Sequence, residues 1–174
     1  MVLEKNNTSF SIDGGGGAAN GRQVYLWPTN TNNVNQQWDE IDAGNGFVQY
    51  RKRNTNHCLD GQNGGARSQG IVLFTCNINS QNQHWERFNT AGNTIRLKKR
   101  GVSFSIDGNR GAASRQVIYL WNSADNNVNQ QWRVLTVGGS SGGGSSDDGG
   151  NNNCLLYTSP SPRDQRGSRM PSSA

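Results

Sequence analysis

Apolar residues along this chain come in short alternating bursts. Val-Tyr-Leu-Trp runs from Val24 to Trp27, Ile-Val-Leu-Phe from Ile71 to Phe74, and Ile-Tyr-Leu-Trp from Ile118 to Trp121. Successive side chains of a strand point to opposite faces. Val24 and Leu26 therefore share one face, as do Ile71 and Leu73, and Ile118 and Leu120. These six aliphatics are the predicted core. Tyr25 and Trp27, Val72 and Phe74, and Tyr119 and Trp121 look the other way, and packing a core does not require aromatics there. In the middle of the chain, strands are predicted at Phe47–Lys52, His57–Asp60, Ile71–Thr75 and Gln83–Phe88, separated by Gly- and Asn-rich turns. No stretch carries a 3.6-residue apolar period, so the fold class is all-β.

The bursts recur at a fixed interval. Trp38, Trp85 and Trp132 lie 47 residues apart, and so do Asp13, Asp60 and Asp107, each followed by Gly. Asn-Asn-Val-Asn-Gln-Gln-Trp ends both Asn32–Trp38 and Asn126–Trp132, with a relaxed copy at Asn79–Trp85. Ser9–Trp38 matches Ser103–Trp132 at 19 of 30 positions without a gap. Such self-similarity means a threefold repeat, bounded at 1–44, 45–91 and 92–137. Four short strands per copy make twelve, and a β-trefoil, a capped barrel with pseudo-threefold symmetry, accommodates them. Three four-stranded blades are too few to close a propeller. The three Trp residues are expected in the barrel core.

Only 31% of the 174 residues are hydrophobic and the mean hydropathy is −0.83, so the core must be economical. No apolar run approaches the length of a membrane span. Met1 aligns with Val48 and Ile95, which places the start of the chain inside a first strand, as in a fragment of a longer protein, with no signal peptide. Periodicity stops near Val137. Gly138–Asn153 has the composition of a flexible linker. Cys154–Ala174 shares nothing with the copies and reads as an unstructured, adapter-like artefact outside the fold. Cys58 and Cys76 fall together in the middle copy, where the other copies have Ser11 and Thr29 or Ser105 and Ser123. Joint presence and joint absence point to a disulfide, and hence to a secreted or extracellular protein.

Asp13, Asp60 and Asp107 admit two readings: turn formers in Asp-Gly pairs, or hydrogen-bond acceptors for a ligand. Trp27 and Trp121 are either covered by loops or open for stacking. The two histidines, His57 and His84, have no Ser or Cys partner at a recognisable spacing, and no His/Cys/Asp cluster reads as a metal site. No phosphate-binding loop is present either, so no catalysis, metal or cofactor is expected. The net charge is +5, with basic runs at Arg51–Arg53 and Lys98–Arg100. These are either solvated hairpin faces or a surface that attracts an anionic polymer. Aromatics are not interleaved with the basic runs as a single-stranded nucleic-acid platform requires.

Ser-Ile-Asp-Gly…Tyr-Leu-Trp…Asn-Val-Asn-Gln-Gln-Trp and Cys-Leu-Asp-Gly…Val-Leu-Phe-Thr-Cys…Asn-Gln-His-Trp resemble the ricin-B-type β-trefoil lectins and the carbohydrate-binding modules of that type, over Val2–Val137. The resemblance implies one shallow sugar pocket per copy, in which an Asp accepts sugar hydroxyls, an aromatic stacks on the ring and an Asn completes the polar contacts. The first pocket is then Asp13, Trp27 and Asn35 with Gln36 in support and Tyr25 alongside. The second is Asp60, Phe74 and Asn82 with Gln83. The third is Asp107, Trp121 and Asn129 with Gln130 and Tyr119. The larger Trp surfaces favour the first and third pockets. The family's cysteine pair matches Cys58 and Cys76. The function implied is non-catalytic binding of a polysaccharide of agar, alginate or xylan type, by a module detached from a secreted polysaccharide-degrading enzyme and linked to its catalytic domain. The alternatives are a free-standing glycan-binding lectin and, less favoured, a basic trefoil that binds protein or nucleic acid.

Overall fold

The computed structural model describes residues 1–63 and 65–137; the expectations for Gly138–Asn153 and Cys154–Ala174 lie outside the described residues. The first copy contains β1 (Val2–Lys5), β2 (Phe10–Asp13), β3 (Arg22–Gln23), β4 (Tyr25–Pro28) and β5 (Trp38–Gly44). The second contains β6 (Phe47–Lys52), β7 (His57–Asp60), β8 (Val72–Thr75) and β9 (Trp85–Thr90). The third contains β10 (Thr94–Lys99), β11 (Phe104–Asp107), β12 (Gln116–Val117), β13 (Tyr119–Asn122) and β14 (Trp132–Leu135).

Six strands form the barrel. β1 pairs with β14, β14 with β10, β10 with β9, β9 with β6, and β6 with β5. The ring closes where Trp38 N–H donates to Met1 O at 2.8 Å and the Met1 amino group donates to Trp38 O at 2.8 Å. The hairpins β2–β4, β7–β8 and β11–β13 cap the barrel. This is the β-trefoil read from the spacing.

Two details differ from the sequence expectation. There are fourteen strands among the described residues, not twelve, because the two-residue β3 and β12 cross to the next cap and pair with β8 and β4. The loop ahead of each third strand must place its backbone polar groups somewhere, and it does so on the neighbouring copy. Gly21 N–H donates to Leu73 O, Ser68 to Leu120 O and Arg115 to Leu26 O, all at 2.8 Å. These three equivalent positions have φ of 79°, 65° and 66°. The second difference is the last strand of the middle copy, which starts at Trp85 rather than Gln83. Gln81–Gln83, like Val34–Gln36 and Val128–Gln130, is a 3₁₀ turn. Asn33 and Asn127 accept the Asn35 and Asn129 amides and so cap their turns. In the middle copy Ser80 makes no such cap, and Gln83 is held out of the strand by its N–H, which donates to Ser80 O at 3.1 Å, and by its side-chain carbonyl, which accepts Asn77 N–H at 2.9 Å.

The core is as predicted. All six aliphatics of the alternating bursts are inaccessible to solvent, and so are Trp38, Trp85 and Trp132. Each Trp removes enough apolar area from water to be worth about 4–6 kcal/mol before entropy. Each also donates its indole N–H to the cap: to Ile12 O at 3.1 Å, Leu59 O at 3.3 Å and Ile106 O at 3.3 Å. Tyr50 stands where the other copies have Leu3 and Leu97, and its hydroxyl donates to Glu40 Oε2 at 2.6 Å. Burial first, then that bond to a carboxylate, push the Tyr50 hydroxyl far above the ordinary tyrosine range. Cys58 and Cys76 are joined by a disulfide. Hydroxyl pairs take its place elsewhere: Ser11 with Thr29 at 2.7 Å and Ser105 with Ser123 at 2.6 Å.

Candidate functional site

Asp13, Asp60 and Asp107 end the second strand of each copy, and the chain turns at the Gly that follows. One carboxylate oxygen makes the turn. Asp13 Oδ1 accepts Gly15 N–H at 2.6 Å, Asp60 Oδ1 accepts Gln62 N–H at 2.6 Å and Asp107 Oδ1 accepts Asn109 N–H at 2.7 Å. The glycine amide is held by the carbonyl of the motif Asn: Asn35, Asn82 or Asn129, each at 2.9 Å. The turn-forming reading of the Asp residues is therefore correct for one oxygen, and the other is left for a second partner. Asp13 Oδ2 accepts Asn33 Nδ2 at 3.4 Å, and Asp107 Oδ2 accepts Asn127 Nδ2 at 3.0 Å and Gln130 Nε2 at 3.1 Å. Ser80 occupies the corresponding place in the middle copy. Among the described residues no side chain donates to the second oxygen of Asp60.

Beneath each Asp-Gly turn runs a lysine from another copy. Lys5, Lys52 and Lys99 are also 47 residues apart, and all three are buried. Lys52 Nζ donates to Gly15 O and Gly17 O at 2.7 Å each. Lys5 Nζ donates to Asn109 O at 2.6 Å and to Gly111 O. The stems explain the glycine: a Cβ at Gly61 would lie 2.7 Å from Lys99 Cδ, and one at Gly108 2.8 Å from Lys5 Cδ. Burial holds all three amines below the ordinary lysine value, and the facing Asp107, Asp13 and Asp60 respectively draw Lys5, Lys52 and Lys99 back up. The basic runs are thus partly neutralised or internal, with Arg100, which contacts His84 Nδ1 at 2.9 Å, outside the ion pairs among the described residues. Their central residues are internal, Lys52 as a clamp and Lys99 buried with its stem against Gly61, Arg51 and Arg53 pair with Asp39 at 3.4 and 3.2 Å, and Lys98 pairs with Glu86 at 3.2 Å.

The aromatics differ in access. Trp27 and Trp121 are half-buried, each with a tyrosine beside it: Tyr25 at 6.2 Å edge-on and Tyr119 at 5.8 Å between centroids. Burial first, and then the Asp107 charge, raise the Tyr119 hydroxyl. An arginine from the preceding copy lies over each indole, Arg115 at 5.9 Å above Trp27 and Arg67 at 4.0 Å above Trp121. In the middle pocket Asn20 occupies the position equivalent to Arg67. It turns to the β8 backbone instead, accepting Thr75 N–H at 2.7 Å. Phe74 is left 45% exposed. The cleft it borders, with Asp60, Gln62, Asn63 and Asn82, is about 730 Å³, against about 440 Å³ for the one holding Asp107, Trp121 and Asn129. Asn82 Nδ2 donates to Asn63 Oδ1 at 2.7 Å across that larger cleft.

Gln36, Gln83 and Gln130 sit at the base of the pockets, and Gln83 is part of the lining of the second. Each is buried and ties its loop to the end of the third strand, donating to Pro28 O, Thr75 O and Asn122 O at 2.9, 2.9 and 2.8 Å. They thus tie the loops beneath the pockets, and Gln130 Nε2 also donates to the pocket carboxylate, Asp107 Oδ2, at 3.1 Å. Reading the sequence for ligand contacts missed Asn33, Asn127, the three lysines and the two arginines. The lysines had a signal in their shared 47-residue interval.

The described residues match the family described as ricin-type beta-trefoil lectin domain over residues 1–132. The chain belongs to that family. This lectin domain accordingly binds carbohydrate. Among solved structures it is similar to the designed threefold symmetric protein ThreeFoil, with a TM-score of 0.71 and 20% identity over 78% of this chain and 96% of that one. It is also similar to a ricin B-like lectin from Macrolepiota procera solved with lactose, with a TM-score of 0.61 and 16% identity over 76% of this chain and 91% of that one. An exo-β-1,3-galactanase from Clostridium thermocellum gives a TM-score of 0.67 at 22% identity, covering 78% of the lectin chain but 30% of the galactanase. At these identities the likeness concerns the fold. No match was found among curated proteins.

Proposed function

We propose that this lectin domain holds a polysaccharide without altering it, and that it serves as the targeting part of a secreted polysaccharide-degrading enzyme. The observation that carries the binding half is the second pocket, where an exposed Phe74 lines the same cleft as a carboxylate, Asp60, whose second oxygen receives no side chain among the described residues. A sugar ring offers vicinal hydroxyls on its edge and C–H groups on its face. A carboxylate accepts the hydroxyls strongly because it is charged, the Asn82 carboxamide both donates and accepts, and the aromatic ring covers the C–H face. In the first and third pockets Asn33 and Asn127 already occupy the second Asp oxygen and an arginine lies over the indole. This geometry favours the second pocket, where side-chain size alone favoured the other two.

The disulfide supports an oxidising compartment. The Gly/Ser-rich stretch after Val137 and the likeness to part of a galactanase support attachment to an enzyme. The free-standing lectin is the second reading, favoured by the fungal lectin, which this chain covers almost end to end. Affinity electrophoresis against agar, alginate and xylan tests the pocket assignment. Wild-type protein should be retarded by one of them, and Phe74→Ala or Asp60→Asn should lose most of that retardation while keeping the wild-type melting temperature. Folded variants that are retarded as strongly as wild type would overturn the assignment.

A further inference from the structure

A cleft of about 590 Å³ lies apart from the three sugar pockets, lined by Phe88, Asn89, Arg96, Asp125, Asn126 and Gln131. Arg96 and Phe88 are direct cross-strand partners on β10 and β9, and the guanidinium lies 4.9 Å over the ring. Arg96 is only 7% exposed. Among the described residues, its Nε has no hydrogen-bond partner and is shut off from solvent. One of its terminal nitrogens pairs with Asp125, whose side chain is 89% exposed. The pair is lopsided: a buried cation is matched with a carboxylate that gains little from staying bound.

The fold does not need this charge. At the equivalent positions of the other copies stand Val2 and Gln49, buried without a charge. Gln49 settles its amide by donating to Asn77 O at 2.8 Å. The place of Asp125 is taken by Thr31 and Ile78. A buried guanidinium with an unmet N–H is costly, and a planar fork of donors suits an oxyanion that can accept two of them at once. The nearby amides of Asn89 and Asn126 add donors of the kind that bind sugar hydroxyls, while the Gln131 amide is engaged, donating to Asp125 O at 3.2 Å and accepting Asn6 Nδ2 at 2.9 Å. Lys98 contributes no free charge here, since Glu86 neutralises it at 3.2 Å.

We propose that this cleft is a fourth binding site, one that takes the carboxylate or sulfate of an acidic sugar on Arg96, with Asp125 as the displaceable occupant of the empty site. Asn126 lines this cleft and its neighbour Asn127 lines the third pocket, so a single loop separates the two. The glycan reading supplies the source of the anion, and on it the choice of an acidic sugar rests. The side-chain Nε–H signal of Arg96, assigned by its absence in Arg96→Lys, reports on the site directly. Trigalacturonate and a sulfated galactose trimer form the two acidic arms, a neutral galactose trimer and inorganic sulfate the controls.

The expected result is that at least one acidic trimer shifts the Arg96 signal while the neutral trimer does not. Asp125→Asn, a change at a solvent-exposed side chain, should tighten that acidic trimer severalfold and leave neutral sugar binding unchanged. An Arg96 signal unmoved by both acidic trimers overturns the proposal, as does an Asp125→Asn variant that binds them no more tightly. Inorganic sulfate acting as strongly as the sugars at equal concentration overturns the acidic-sugar assignment. Phe74→Ala serves as the separate control: it abolishes sugar binding in the second pocket without moving the Arg96 response. If Phe74→Ala leaves all glycan binding intact, the pocket assignment fails while the Arg96 result stands by itself.

Discussion

Replacing both Cys58 and Cys76 by serine converts the middle copy to the arrangement already present in the third, where Ser105 and Ser123 bond at 2.6 Å. Two effects oppose each other. Opening a cross-link between residues 18 apart releases the unfolded chain and costs about 3 kcal/mol in the loop-entropy model. A new hydroxyl pair in the same buried place returns about 1 kcal/mol. The net loss is about 2 kcal/mol, and at about 4 °C per kcal/mol for a domain of this size the melting temperature falls by about 8 °C. The double alanine variant forgoes the hydrogen bond as well and should fall by about 12 °C on the same scale. Calorimetry of the three proteins under non-reducing conditions measures both steps. The cross-link also ties β7, which carries Asp60, to the residue that directly follows β8, which carries Phe74. Polysaccharide retention is therefore expected to weaken more in the alanine than in the serine variant. If the serine protein melts with wild type, the cross-link stabilises nothing. If the serine and alanine proteins melt together, the hydroxyl pairs of the other copies are not substitutes for it.

Three further outcomes are expected. Lys52→Met should loosen the Gly15–Gly17 loop and disable the first pocket while sparing the second, at a cost of about 1–3 kcal/mol for the lost charged donor; amide exchange at Gly15 and Gly17 checks it, with unchanged protection as the contrary result. Tyr50 keeps its proton when folded but loses it near pH 10 when unfolded, so stability should fall as pH rises above about 10; in Tyr50→Phe, urea titrations at pH 8 and 11 should show a smaller fall. A chain truncated after Val137 should keep the melting temperature and sugar retention, because the core and pocket residues named above precede that point.

What was legible in the sequence was whatever the threefold period repeats. Val24 and Leu26 announce themselves by alternation, Trp38 and its two counterparts by interval, and the cysteine pair by its joint absence elsewhere. Reading the chain one strand at a time hid whatever depends on a partner from another copy. Lys52 looks like the middle of a solvated Arg-Lys-Arg run, and only the approach of Gly14 and Gly15 from the first copy makes it internal. Trp121 has the residue type of a stacking surface, yet Arg67, remote in sequence, lies over it. The 3₁₀ turn at Gln83 escaped for a local reason: its amide bonds Ser80 O and its side chain bonds the Asn77 amide, short-range bonds that an apolar period does not register.

The lysine clamps and crossing loops also constrain how such a protein can be built or dismantled. The first pocket takes Asp13 and Trp27 from one copy, Lys52 from the next and Arg115 from the last. The third takes Asp107 and Trp121, Lys5 and Arg67 in the same rotation. The frame around each pocket is thus a property of the closed wheel rather than of its spokes, although the sugar-facing Asp60, Phe74 and Asn82 of the second all come from one copy. A single copy made as a separate peptide would lack the lysine beneath its turn and the loop that crosses from its neighbour, so an ancestral or engineered one-copy form must trimerise to build the same frame. Joining the present ends and reopening the chain in another inter-copy turn should preserve all three pockets. Excising any one copy should remove its own pocket and leave both of the others unfinished.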